Sequence, residues 1–228
     1  MTDLRPEPVL RPDLDADPRL AAGFTTRAFA AMDEPLGAVR ARLAEAERFT
    51  AVASVGQVHG AGVAVVRQGG HVAAHDGLVT CTPGVLLTVM SADCALVLLA
   101  DAEAGVVGAC HSGWRGTVAG VAGRTVEAMR RLGAEGIVGY VGPCISAEAL
   151  EVGEEVAAQF PPASVVRRAE WPRPHVDLRA DLARQLAEAG VERVEVSGAC
   201  TVAEVGQFYS YRAEAGKTGR MLGFVGVR

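Results

Sequence analysis

The stretch PGVLLTVMSADCALVLLADAEAGVVGACHSGWRG, residues 83–116, carries three apolar runs, near 85–90, 95–100 and 106–110. Each run is too short for a stable helix and is bounded by Pro, Gly or Asp, so the three read as largely buried strands. Beyond Trp114 the period changes. Val118, Val121, Ala122, Thr125, Val126, Met129 and Leu132 follow helical spacing, with Gly133 in place to end the helix. On the N-terminal side, LGAVRARLAEAE (36–47) is rich in strong helix formers, and the valine-rich QVHGAGVAVV (57–66) reads as a strand with His59 at its mouth. Farther on, IVGYV (137–141), RVEVSG (193–198) and MLGFVGV (221–227) read as strands. Leu178, Leu182, Leu186 and Ala189 stripe a helix that Asp177 can cap and Gly190 can end. Hairpin-like and crossover connections alternate, which predicts an α+β fold: one domain of mixed β-sheet covered by helices. Residues 1–22, rich in Pro and Asp, are expected to run extended over the surface, with a single catalytic domain over 23–228.

Composition narrows the function. Half of the 228 residues are apolar and the formal net charge is −5, with no basic run to meet a nucleic-acid backbone or an anionic membrane. Small molecules are therefore the expected partners, of a monomer or small homo-oligomer. The first twenty residues mix acids and prolines where a signal peptide needs a basic start and an apolar run, so a cytoplasmic location is expected. Five widely spaced cysteines, an odd number, read as free thiols or metal ligands rather than a disulfide framework.

Three polar groups stand at the edges of the buried strands: His59, Cys94 and His111. Imidazole nitrogen and thiolate sulfur suit zinc, and a catalytic zinc site keeps three protein ligands with a fourth position open. By spacing alone the plainer reading, histidines bonded to backbone and a core thiol, is favoured, because these three converge only through a tertiary fold. Arg115, where a strand leads into a helix at HSGWRG, is a candidate anion ligand or the partner of a structural ion pair. Trp114 can stack on a base or pack against its neighbours. His71 and His75, in GGHVAAHDG, read as loop histidines rather than a second metal site. Cys110 should point away from His111 on the same strand.

Taken in order, QVHG, GLVT, the 83–101 run, ACHSGWRGTVAGV, GPCI, EVGEEV, HVDLRADLARQL and FYSYRAEAGKTGRMLGFV closely resemble the bacterial polyphenol oxidase or laccase-domain family. Its members are regarded as purine nucleoside phosphorylases with adenosine deaminase and methylthioadenosine phosphorylase activity, and some are called peptidoglycan editing factor. The resemblance spans about residues 22–228. It implies a layered α/β/β/α arrangement and a zinc-binding catalytic site at His59, Cys94 and His111, with phosphorolysis of adenosine, inosine, guanosine and methylthioadenosine and deamination of adenosine. It also implies a substrate or phosphate role for Arg27 in GFTTRAF, beside Arg115. The family's N-terminal glycine-rich segment is not recognisable in AFAAMDEPLG (28–37), and the second cysteine that follows GPCI in the family is missing from ISAEALEVG (145–153).

Chemistry bears on the names independently. A multicopper oxidase needs a His-rich cluster beyond one His-Cys-His centre, and only five histidines exist here, although copper would outcompete zinc for such a site. Deamination needs one zinc, an activated water and a proton shuttle, for which Asp93 and Asp76 are the nearest carboxylates in sequence. Three alternatives stand: a metal-free hydrolase of cell-wall precursors or muropeptides with Cys94 as nucleophile activated by His59 or His111, a copper-dependent polyphenol oxidase, and a binding protein without turnover.

Overall fold

The computed structural model describes residues 9–228. Its strands in chain order are β1 (Val9–Leu10), β2 (Leu20–Thr25), β3 (Ala51–Val55), β4 (Val63–Val65), β5 (Gly70–Val72), β6 (Gly77–Thr80) and β7 (Val85–Ser91). They continue with β8 (Ala95–Asp101), β9 (Val106–Ser112), β10 (Val138–Val141), β11 (Val165–Val166), β12 (His175–Val176), β13 (Arg193–Val196) and β14 (Met221–Val227). The helices are α1 (Leu36–Glu47), α2 (Trp114–Val118), α3 (Val121–Arg130), α4 (Glu154–Ala157) and α5 (Leu178–Glu188). One six-stranded sheet has the order β1-β2-β14-β7-β3-β5 and the other β13-β10-β8-β9-β6-β4, while β11 and β12 pair alone.

The continuous apolar runs follow from burial of both strand faces. On β8, Leu96, Leu98 and Ala100 pack between the sheets with Leu87 and Val89 of β7, whereas Val97 and Leu99 pack under α3 and α5. On β7, Leu86 faces the other way and meets Val39 and Leu43 of α1. The result is a stack of four layers: α1, the first sheet, the second sheet, then α3 with α5. This is the mixed-sheet α+β architecture that the sequence implies. No helix among the described residues is long and apolar enough to cross a membrane.

Several details differ from expectation. The strand that follows α1 is Ala51–Val55, ahead of His59, and the valine-rich stretch holds only the three-residue β4. The helix expected over 118–132 is broken, because Gly120 takes a φ of 75° and separates α2 from α3. Of the segment expected to run extended over 1–22, residues 1–8 lie outside the described residues. The remainder contributes β1, a short 3₁₀ turn with Leu14 buried, and the buried start of β2 at Leu20, Ala21 and Ala22, so the sheet begins before residue 23.

Leu98 is fully buried between the sheets. Leu98→Ala is expected to lower the unfolding free energy by about 3 kcal/mol through lost transfer energy and a residual cavity. Urea unfolding followed by circular dichroism checks this: the midpoint should fall with an unchanged slope, and an unchanged midpoint would contradict the packing described.

Candidate metal and substrate site

Topology brings distant segments to one end of the double sheet. β3 and β7 run parallel in the first sheet, so their C-terminal ends, Val55 and Ser91, lie toward the same end of that sheet. The chain leaves each of these ends for the second sheet, through residues 56–62 after β3 and 92–94 after β7. His59 lies in the first crossover and Cys94 in the second. β9 runs antiparallel to β8 with Ala95 opposite Ser112, which delivers His111 to the same end. The Gln57 side chain ties the first crossover to the end of β7: its amide donates to the Met90 carbonyl and accepts from the Met90 N–H, both at 2.8 Å.

His59, Cys94 and His111 each offer a ligand atom within 4.8 Å of the others, the one such group of three among the described residues. The two imidazole rings meet edge to face with centroids 4.9 Å apart. Asp76, fully buried, sets the histidine positions. Its Oδ1 accepts from His111 Nδ1 at 2.9 Å and from the His59 N–H at 3.0 Å, and its Oδ2 accepts from the N–H groups of Val58 and Gly60 at 3.2 and 2.7 Å. Burial works to raise the Asp76 pKa, but the hydrogen bonds from His111, Gly60 and Val58 outweigh it and leave the group below the ordinary carboxylate range. Because His111 donates through Nδ1, its Nε2 lone pair is free for a ligand bond. Burial, with the neighbouring His111 and Arg115, lowers the pKa of His59 and keeps its lone pair available as well. Burial, reinforced by Asp93, pushes the Cys94 thiol up to about 12.

The donor set suits zinc. Tetrahedral zinc with bonds of 2.0–2.3 Å spaces its ligand atoms by about 3.3–3.8 Å, which these side chains reach by small adjustments. Gly113 keeps the space open, since a Cβ there would lie 2.7 Å from Cys94 Sγ and 3.4 Å from the His59 ring.

The three groups form the floor of a cavity of about 580 Å³. Ile145, Leu150 and Leu178 make one apolar wall, Trp114 and Tyr211 add aromatic faces, and Arg115, Arg212 and Arg220 supply cationic groups. Trp114 both packs against the Ile145–Leu150 cluster and carries the Arg115 guanidinium 4.2 Å above its ring. Arg27 is not among the lining residues. Its guanidinium donates to the Phe208 carbonyl at 2.8 Å, pairs with Glu214 and lies over the Tyr209 ring, so it anchors the 208–218 loop instead of facing the cavity. Asp93 is likewise committed: Oδ1 accepts from Thr201 Oγ1 and Oδ2 from the Arg212 N–H, both at 2.7 Å.

Other residues singled out in the sequence lie elsewhere. His71 bonds Ser54 and His75 bonds the Ala73 carbonyl. Cys110 is buried under α3, on the face of β9 opposite His111. Cys144 stands across an isolated bridge from Cys200, a pairing hidden in the sequence by the distance between the two. Arg212 and Arg220 were both present in the quoted FYSYRAEAGKTGRM motif, but nothing in the string separates cationic groups that face a cavity from those that face solvent.

The family model described as multi-copper polyphenol oxidoreductase laccase matches residues 29–228. The chain belongs to this family. A purine nucleoside phosphorylase of Deinococcus radiodurans is 48% identical over 202 residues, covering 85% of this chain and 78% of that protein. An adenosine deaminase of an unknown prokaryotic organism is 38% identical over 162 residues, 67% of this chain and 61% of its own length. The crystal structure of YlmD from Geobacillus stearothermophilus superposes with a TM-score of 0.85 at 32% identity, covering 100% of this chain and 98% of that one. Laccase-domain membership thus agrees with relatives named as enzymes of purine nucleosides.

Gly113 has φ −74° and ψ 178°, which alanine adopts without strain, so Gly113→Ala should fold normally and act only through its clash with Cys94. Zinc titration against a chromophoric chelator is expected to give an affinity lower by about ten- to a hundredfold. Native circular dichroism with wild-type zinc affinity would dissociate Gly113 from the ligand cluster.

Proposed function

We propose that the protein is a zinc-dependent purine nucleoside enzyme, cleaving adenosine, inosine, guanosine or methylthioadenosine with phosphate and deaminating adenosine. The observation that carries this reading is the convergence of His59, Cys94 and His111 on the floor of a cavity whose walls combine aromatic faces with arginines. Its size lies within the range of small-molecule sites, roughly 300–1,000 Å³. The names of the relatives supply the substrate class.

His59, Cys94 and His111 would hold the zinc, which when bound supplies Lewis acidity and activates water for attack on the purine carbon that bears the amino group. Asp76 orients His111 through Nδ1 and fixes the His59 backbone. Trp114 and Tyr211 offer faces against which a purine can stack. Arg115, which makes no ion pair among the described residues, is the proposed phosphate ligand. In phosphorolysis a phosphate oxygen bonds the sugar carbon as the carbon–nitrogen bond breaks, and the electron pair leaves with the purine. A guanidinium holding the phosphate both positions it and balances its charge beside the oxocarbenium-like sugar.

Two alternatives fit less well. A metal-free hydrolase needs a Cys94 thiolate, yet the thiol is pushed up to about 12 by burial, and neither histidine is hydrogen-bonded to it among the described residues. A multicopper oxidase needs further His-rich centres, and His71, His75 and His175 lie outside the cluster, the last bonded to the Ala147 carbonyl.

Chromatography of adenosine incubated with the purified protein, with and without phosphate, tests the reading. Adenine formed only with phosphate, or inosine formed regardless of it, is expected. Either activity should fall by about a hundredfold or more in Cys94→Ala, and removal of zinc by a chelator should abolish both until zinc is restored. Intact adenosine at high concentrations of zinc-loaded protein would overturn the assignment.

A further inference from the structure

The cavity contains more positive charge than its own carboxylates answer. Asp93 is the acidic residue among those that line it, and both its oxygens accept hydrogen bonds from Thr201 and the Arg212 backbone. Of the three lining arginines, Arg212 donates its terminal nitrogens to the carbonyls of Ala149 and Glu151. Arg220 is held differently. Its Nη1 donates to the Thr218 and Gly219 carbonyls at 3.2 and 2.8 Å, which fixes the plane of the fork, while Nε and Nη2 have no partner among the described residues. Neither Arg115 nor Arg220 forms an ion pair among the described residues. Arg115 is exposed, whereas Arg220 is half-buried, where a guanidinium without a counter-charge is costly and a bidentate oxyanion is the ligand its geometry fits.

Position strengthens the case. Arg220 immediately precedes β14, whose Met221 stands opposite Ser91 in the first sheet, whereas Arg115 follows β9 of the second. The two arginines therefore reach the cavity from opposite sheets, with the His59–Cys94–His111 cluster between those sheets.

We propose that Arg220 is the second arm of a phosphate clamp, gripping with Arg115 one phosphate group beside the His59–Cys94–His111 cluster. It takes the place that the sequence assigned to Arg27, whose charge is spent on Glu214. As a site for co-substrate phosphate the clamp rests on the nucleoside reading above. The same chemistry would hold the 5′-phosphate of a nucleotide, and the two sources are separable by experiment.

Thermal unfolding of the full-length protein is followed against increasing inorganic phosphate and, in a second arm, adenosine 5′-monophosphate, for wild type, Arg220→Gln and Arg220→Lys. Phosphate is expected to raise the wild-type midpoint, and Arg220→Gln to need about tenfold more phosphate for the same shift. Arg220→Lys should fall between, because it keeps the charge but loses the fork. In turnover, the KM for phosphate should rise about tenfold in Arg220→Gln, with a smaller change in kcat at saturating phosphate. A shift by the nucleotide alone, lost in Arg220→Gln, would support the clamp and assign it to a substrate-borne phosphate. No shift with either probe in wild type, or equal shifts in Arg220→Gln, would overturn it. Phosphate-dependent stabilisation that requires Arg220, in a protein that leaves adenosine intact, would uphold the clamp while the nucleoside reading fails.

Discussion

The site depends on one aspartate held in a conformation that aspartate rarely adopts. Asp93 has a φ of 98°, a left-handed geometry that costs a non-glycine residue about 1–3 kcal/mol and persists only where the surroundings enforce it. Here they do. Its carbonyl accepts from the Ile145 N–H at 2.9 Å, and its two carboxylate oxygens accept from Thr201 and Arg212. These bonds lash the loops after β10 and β13 and the loop before β14 to the corner where the chain passes between sheets. Ser91 closes the same corner by donating to the Cys94 carbonyl at 2.6 Å. Cys94 is the next residue along, so the direction of its thiol is set by contacts that the sulfur itself does not make.

Asp76 does the corresponding work for the histidines. His59 also sits in the left-handed region, with φ 61°, and its N–H, with those of Val58 and Gly60, converges on the Asp76 carboxylate. One buried carboxylate thus organises the thiol corner and the other the imidazole corner. Each is occupied by the donors it gathers, which makes both of them positioning groups and gives neither the exposed oxygen of a proton shuttle.

Which features were legible in the sequence follows from how local their causes are. β7, β8 and β9 could be read because burial on both faces makes an apolar run continuous. α5 could be read because Asp177 caps it, accepting from the Ala180 N–H at 3.0 Å, and Gly190 ends it with φ 76°. The division into two sheets could not, since three residues between apolar strands look like a hairpin whether or not the strands pair. The break at Gly120 was equally hidden, because a glycine within a helical period declares its φ only in three dimensions. His59, Cys94 and His111 were visible as residue types, and family motifs rather than spacing singled them out. That Arg27 is held away from the cavity by its pairing with Glu214, a residue far from it in sequence, is something no local pattern carries.

The same contrast between global and local charge explains what the cavity can admit. A formal net charge of −5 opposes a polyanion approaching along an extended surface, yet three arginines share one cleft whose remaining lining is largely apolar. Clefts concentrate the field of the charges inside them, so a small anion within the mouth feels the guanidinium groups far more strongly than the distant acidic surface. A divalent cation held with a single thiolate would leave the floor net positive as well. Under the proposed reading, a chain that is acidic overall discriminates by size among anions, repelling extended ones and drawing a phosphate-sized group toward the histidines and the cysteine.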